Sequence, residues 1–217
     1  MSERRGLVTG GTGRVGRVIA ARLEAEGFRV LAAGHKDADV SRVEEARALV
    51  ERAAAELGGL DLLVNAASEG FEPRDVEEVG EAEWDAAFGA TAKGSFFVTQ
   101  AAVPHLRRSE LALVVMIEDV AAYQPWPSFA PHCAAKAAQA MLTRVLARAF
   151  APDVRVCGVA PGPVAVEPGQ EERRSAETLL GRLGSPEDVA AAVMYLVEAE
   201  FVTGTSLVVD GGRLLKP

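Results

Sequence analysis

At 217 residues with 49% hydrophobic content, the chain is long enough to bury one full core and short for two, so a single domain spanning 1–217 is expected. A net charge of −8 with interspersed signs and no basic stripe disfavours a nucleic-acid partner. No apolar run approaches the ~20 residues that cross a bilayer, and Met1-Ser2-Glu3-Arg4-Arg5 leads straight into a strand-like segment rather than a signal peptide; a soluble, cytoplasmic protein with no membrane partner is expected.

Short β-branched runs alternate with long Ala/Leu/Glu/Arg segments of helical period. That pattern predicts an α/β fold, a Rossmann-type doubly wound parallel sheet of six or seven strands with helices on both faces. In chain order, a strand over Gly6–Thr9 precedes a helix over Arg14–Glu26, and a strand over Phe28–Gly34 precedes a helix over Ser41–Leu57. Between Gly34 and Ser41 there is room only for a turn, so a crossover helix common in this architecture is missing. Further strands are predicted at Leu60–Asn65, Leu111–Ile117, Val154–Ala160 and Ser206–Val209, and further helices at Glu81–Arg107, Ala134–Phe150 and Pro186–Glu198. The last helix carries the clearest start: Ser185 as cap, Pro186 at the first helical position, then Glu187 and Asp188 at the positive dipole end. The stretch Gly162–Gly181, rich in Pro, Gly and charge, is expected to be a mobile loop covering a substrate. Cys133 and Cys157 have neither metal-ligand spacing nor disulfide density, so no metal site and no structural disulfide are expected.

Thr9-Gly10-Gly11-Thr12-Gly13-Arg14-Val15-Gly16 follows the first predicted strand and opens a helix. In that context glycines let the backbone turn tightly and approach a pyrophosphate, whose charge the helix N-terminus meets. Gly10, Thr12, Gly13, Arg14, Val15 and Gly16 are therefore candidate cofactor-binding residues. An NAD site places a carboxylate about 20 residues beyond the glycines, whereas a 2′-phosphate needs a cation. Lys36 occupies that position, preceded by His35. With Arg14 beside the pyrophosphate these residues favour NADP(H), with Asp37 as the contrary feature.

At this point the chain resembles the classical short-chain dehydrogenase/reductase family over nearly its whole length. The resemblance rests on the glycine loop, Asp39-Val40, the run Leu62-Leu63-Val64-Asn65-Ala66-Ala67-Ser68, Val159-Ala160-Pro161-Gly162-Pro163-Val164, Gly181 to Ala190, and Thr203-Gly204 with Val209-Asp210-Gly211-Gly212. It implies cofactor contacts from Asp39, Val40, Asn65, Ala66, Ala67, Pro161, Gly162 and Val164. Arg14 in place of the usual middle glycine, His35-Lys36, Ser68 and Asp119 in place of the catalytic serine are similar to the pteridine reductase branch. That likeness implies reduction of a small pteridine-like molecule, with Arg14 also reaching substrate.

The family's Tyr-x-x-x-Lys pair falls on His132-Cys133-Ala134-Ala135-Lys136, and Thr91 falls where the family has Asn. Tyr123 and Tyr195 lie elsewhere and do not replace the tyrosine. Asp119, His132 and Lys136 are the candidate catalytic residues. An unperturbed imidazole titrates near 6.5, so His132 can act as the acid with Asp119 stabilising its charged form, while Lys136 opposes a second positive charge. Lys136 is also expected to hold the nicotinamide ribose. Alternation along a strand sends Glu118 and Asp119 to opposite faces, so only one of them should meet the pocket. Trp126, Phe129 and Phe97 are candidates to stack on a flat substrate. The leading reading is an NADP(H)-dependent reductase of a carbonyl or imine in a small molecule. A catalytically impaired NADP(H)-binding regulatory or scaffold protein is the alternative, and a fatty-acid-type ketoacyl reductase a weaker one. The family likeness implies a homotetramer or homodimer through the two long helices and the last helix and strand.

Overall fold

Among the described residues, six strands make one sheet in which every neighbouring pair is parallel: β1 (Arg4–Thr9), β2 (Phe28–Ala33), β3 (Leu62–Asn65), β4 (Leu113–Ile117), β5 (Arg155–Pro161) and β6 (Ser206–Val209), in the order β2-β1-β3-β4-β5-β6. The computed structural model describes residues 3–70, 72–164 and 169–216. The sheet has six strands, the lower of the two expected numbers. β3 and β4 are buried at every position, as befits largely apolar strands covered on both faces.

Alternation along the strands feeds two cores. Leu7, Leu63, Val114, Met116 and Val156 face one side and pack against α2 (Val43–Leu57), α4 (Ser95–Leu106) and α5 (Ala130–Phe150). Val8, Leu62, Val64, Val115, Cys157 and Val159 face the other, beneath α1 (Gly16–Ala25) and α7 (Pro186–Glu198). Each fully buried Leu or Val contributes about 2 kcal/mol, so the two layers hold the sheet from both faces. α7 begins as its caps dictate: Ser185 Oγ accepts from Asp188 N and Ser185 N donates to Asp188 Oδ2 at 2.9 Å.

Three expectations need correction. The predicted helix Glu81–Arg107 is broken into α3 (Glu81–Phe88), a π-helical turn over Gly89–Gly94, and α4. The reason is packing: a Cβ on Gly94 would lie 3.0 Å from Val40 and one on Gly89 3.1 Å from Ser41 Cβ, so two glycines let the segment press against the chain arriving from β2. The helix expected to open at Ala134 opens at Ala130, with Pro131 in its first turn, where a missing N–H costs nothing. The Gly162–Gly181 stretch contains a helix, α6 (Glu171–Ala176), and residues 165–168 of it lie outside the described residues.

Between β2 and α2 there is only a turn. Gly34 O accepts from the N–H groups of Asp37 and Ala38, and Gly34 N donates to Asp37 Oδ2 at 2.8 Å. This bears out the missing crossover helix.

At the amino end of the sheet, Arg5 clamps Asp61. Its N and Nε donate to Oδ2 at 2.7 and 2.8 Å and its terminal nitrogen donates to Oδ1 at 2.8 Å. Burial pushes the Asp61 carboxyl up, but donors from Arg5 and Ser109 outweigh it and hold the group below its usual range. A lowered carboxyl contributes stability that is present above its unfolded value of about 4 and lost as pH falls through the folded one. Asp61→Asn is therefore expected to cost about 2 kcal/mol at pH 7, and the gap from wild type should shrink by pH 3. Urea unfolding at both pH values checks this, and an equal gap at both refutes it.

Candidate functional site

The strand order reverses direction between β1 and β3, the switch point at whose carboxyl ends α/β sheets bind ligands. Gly10 sits there at φ +65°, and a Cβ on it would lie 2.5 Å from Ala66 O. Gly16 opens α1, and a Cβ there would fall 2.2 Å from Gly10 O. Gly13 N donates to Gly10 O at 3.0 Å and closes the turn. Ala66 N and Ala67 N donate to Thr9 O and Thr9 Oγ1, locking the end of β3 beside the glycine loop. Thr12 lies over Gly34, where a Cβ would meet its Oγ1 at 2.2 Å. The exposed residues of the turn are Thr12, Gly13 and Arg14, with Val15 half-buried. This cradle fits the pyrophosphate of a dinucleotide, because bare backbone and a helix N-terminus are what side chains would otherwise cover.

His35 and Lys36 are exposed at the end of β2. Both nearby carboxylates already have local donors. Asp37 takes Gly34 N, and Asp39 Oδ1 accepts from Ser41 N at 3.0 Å and Ser41 Oγ at 2.7 Å. The Ser41 hydroxyl is the main reason that the Asp39 carboxyl sits below its ordinary value, with the Ser41 N–H and the nearby Arg42 adding to it. Asn65 is buried, and its Nδ2 donates to Thr99 Oγ1 at 2.9 Å. Pro161 and Gly162 close β5 against the C-terminal turn, with a Cβ on Gly162 falling 2.8 Å from Asp210 Cα. Val164 packs half-buried against Gly184.

Three strands along the sheet, the end of β4 carries the acids. Asp119 Oδ1 accepts from Ala121 N at 2.8 Å, and its Oδ2 lies 3.5 Å from His132 Nε2. Glu118 points the other way, to Thr143 and Tyr123, as alternation predicts. His132 and Lys136 are 5% and 4% exposed. Lys136 Nζ donates to Ile117 O at 2.8 Å and to Gln139 Oε1 at 3.1 Å. Burial pulls the Lys136 ammonium down to about 8, against the raising influence of Asp119 and then Glu118. Burial also pushes both thiols up, Cys157 to about 11, so neither is a thiolate nucleophile near neutral pH.

His132, Thr91 and Phe129 line a cavity of about 450 Å³ bounded on its far side by α3. Thr91 is buried, with its hydroxyl 3.3 Å from Ser68 Oγ. Trp126 stands edge-on to Phe129 and beneath Arg213, and Phe97 meets its neighbour Phe96 edge-on. Of the three aromatic candidates, Phe129 is a cavity-lining residue. The structure thus gathers Asp119, His132, Lys136 and Thr91 at one end, and Arg14, His35 and Lys36 at the other. Strands spaced ~4.8 Å apart put the ends of β2 and β4 about 14 Å from each other, a span that an extended dinucleotide bridges.

Gln139 and Thr143 were not singled out from the sequence. His132, Lys136, Gln139 and Thr143 recur at i, i+4, i+7 and i+11, a polar stripe on an Ala/Leu-rich helix, and all four are buried. The helical period alone carries that signal.

The family profile described as enoyl-(acyl carrier protein) reductase matches residues 20–213. A 3beta-hydroxysteroid dehydrogenase 1 of Eggerthella lenta is 35% identical, with 97% of this chain and 94% of that protein aligned. The human dehydrogenase/reductase SDR family member 4 is 31% identical over 95% of this chain and 86% of its own length. Among solved structures, ligand-free aldohexose dehydrogenase of Thermoplasma acidophilum superposes with a TM-score of 0.91 at 26% identity, covering 99% of this chain and 95% of that one. The helices that the described residues form include none long and apolar enough to cross a membrane. With its parallel sheet, glycine cradle and matching profile, the chain belongs to the short-chain dehydrogenase/reductase family of oxidoreductases, which act on small molecules with a nicotinamide cofactor.

Proposed function

We propose that this chain is a single-domain, cytoplasmic, NADP(H)-dependent reductase of a carbonyl or imine in a small pteridine-like molecule, with His132 in the place of the family tyrosine. The observation that carries this reading is the buried His132, 3.5 Å from Asp119 and lining the cavity beside Lys136's helical turn. The nicotinamide, when bound, supplies the hydride. His132 donates the proton to the substrate atom, and Asp119 Oδ2 stabilises the imidazolium. Lys136 holds the nicotinamide ribose from its seat on Ile117 O. Phe129 provides the apolar wall of the substrate cavity. Asn65, Ala66, Ala67, Pro161, Gly162 and Val164 form the walls around the cofactor, with Asp39 and Val40 at its adenine end. Exposed Met141 and Val145 on α5, and Tyr195 on α7, support assembly as a homotetramer or homodimer.

Preference for NADP(H) over NAD(H) is supported by Arg14, His35 and Lys36, together with the donors already bound to Asp37 and Asp39. Titration of the protein with NADPH and NADH tests it. NADPH is expected to bind at least about tenfold more tightly, with the advantage falling severalfold in Lys36→Ala as one charge-assisted contact is lost. Equal binding, or preference for NADH, rejects the assignment.

A second reading, a cofactor-binding regulatory or scaffold protein, draws on one observation: the Tyr123 phenol donates to Glu118 at 3.1 Å rather than facing the cavity. Under that reading the cofactor binds and nothing is reduced.

A further inference from the structure

Glu118 is a buried carboxylate that the reaction above does not use. It follows β4, is 2% exposed, and turns away from the side on which Asp119 meets His132. Its seat is built from three elements. Oε1 accepts from Thr143 Oγ1 on α5 at 2.6 Å, and Oε2 accepts from Tyr123 OH at 3.1 Å. On β5, a Cβ at Gly158 would fall 2.1 Å from Oε1 and 2.7 Å from Ser206 Oγ. A side chain at 158 would therefore displace the carboxylate, and only glycine leaves it room.

Both direct partners of this carboxylate are neutral hydroxyls, and a buried charge needs an opposite charge nearby. Lys136 is the buried cation of the same helix face, two turns before Thr143. Its own partners, Ile117 O and Gln139 Oε1, are neutral too, and Ile117 is the residue adjoining Glu118. The anions bearing on this ammonium are Asp119 first and then Glu118, both from the end of β4, and His132 stands four residues before it on its own helix. Tyr123 hydrogen-bonds Glu118, with Arg144 acting on Tyr123 from outside. Asp119 is shared with His132. When the imidazole takes a proton, two cations stand on one helix face and one anion cannot balance both.

We propose that Glu118 is a positioning residue, the second buried counter-charge that, beside Asp119, keeps Lys136 an ammonium when Asp119 is also drawn to His132. Two anions, Asp119 and Glu118, then face two cations, His132 and Lys136, so Lys136 keeps its charge and all three N–H donors whether or not His132 is protonated. The consequence for cofactor binding rests on the role given to Lys136 above, but the charge coupling does not.

The test is a titration of the lysine side chains by NMR in the full chain without added cofactor, where Lys136 is identified by the signal lost in Lys136→Arg. Its midpoint is expected near the depressed value of about 8. In Glu118→Gln it should fall by about one pH unit, and in Glu118→Asp it should stay. An unchanged midpoint in Glu118→Gln overturns the proposal. Should that variant not fold, Glu118→Ser with Gly158→Ala places a methyl where the carboxylate was and carries the same expectation. NADPH titration separates this proposal from the reading it rests on. A one-unit fall leaves about fivefold less ammonium at pH 8 and nearly the same at pH 6, so affinity in Glu118→Gln should drop about fivefold at pH 8 only. A shifted midpoint with unchanged affinity upholds the charge coupling and removes Lys136 from cofactor binding.

Discussion

His132→Phe is expected to lower kcat of NADPH-dependent reduction by about 10³-fold, within the range that a positioned proton donor contributes, while the Kd for NADPH changes less than about twofold. The ring of Phe fills the space of the imidazole, so the buried position on α5 stays packed, and what disappears is the group 3.5 Å from Asp119. His132→Tyr is the informative companion. It installs a phenol four residues before Lys136, on the same helix face, and should retain turnover with its pH optimum displaced upward, because a phenol ordinarily titrates near 10 and an imidazole near 6.5. If wild type and His132→Phe turn over equally, His132 is not the donor. If wild type is inactive and His132→Tyr gains activity, the chain is the cofactor-binding regulator of the second reading.

Gly16→Ala should abolish dinucleotide binding and cost about 3 kcal/mol of stability, at the upper end of overpacking penalties. Its Cβ would fall 2.2 Å from Gly10 O and 3.0 Å from Gly11 Cα, and both neighbours are backbone that cannot rotate away. The first turn of α1 would have to shift and the cradle would open. Gly13→Ala makes a graded comparison, since its Cβ meets only Gly10 O, at 3.2 Å; it should cost under about 1 kcal/mol and weaken the cofactor severalfold. Thermal unfolding with and without NADPH reads both effects, because a ligand bound only by the folded state raises apparent stability. A Gly16→Ala protein whose melting temperature still rises with NADPH would show that the loop does not hold the pyrophosphate.

Much of the architecture is legible in local patterns. Short, largely apolar runs fall where β3, β4 and β5 lie, and α7 starts where its Ser-Pro-Glu-Asp opening dictates. The glycine loop is recognisable because its setting, a strand before and a helix after, is as local as the glycines themselves. The pairing of His132 with Lys136 follows from a four-residue spacing on one helix. Gln139 and Thr143 obey the same period.

Other features depend on residues remote in the chain. Gly89 and Gly94 alone do not call for a break, since glycines occur inside helices, and Pro104 lies beyond the break, within α4; the π-helical turn forms where Val40 and Ser41 press on Gly94 and Gly89. The helix within the Gly162–Gly181 stretch is short and polar, without a period to betray it. Alternation sends Glu118 to the face opposite Asp119, but only the meeting of β4, β5 and α5 supplies the space over Gly158 and the Thr143 hydroxyl that bury it. The parallel α/β layering, the glycine cradle and the His132/Lys136 pair are written in local sequence, because period, caps and turns act over a few residues. Tertiary structure decided the strand count, the broken helix and the charge environment of Lys136, because these depend on which distant side chains share one volume and how far they exclude water.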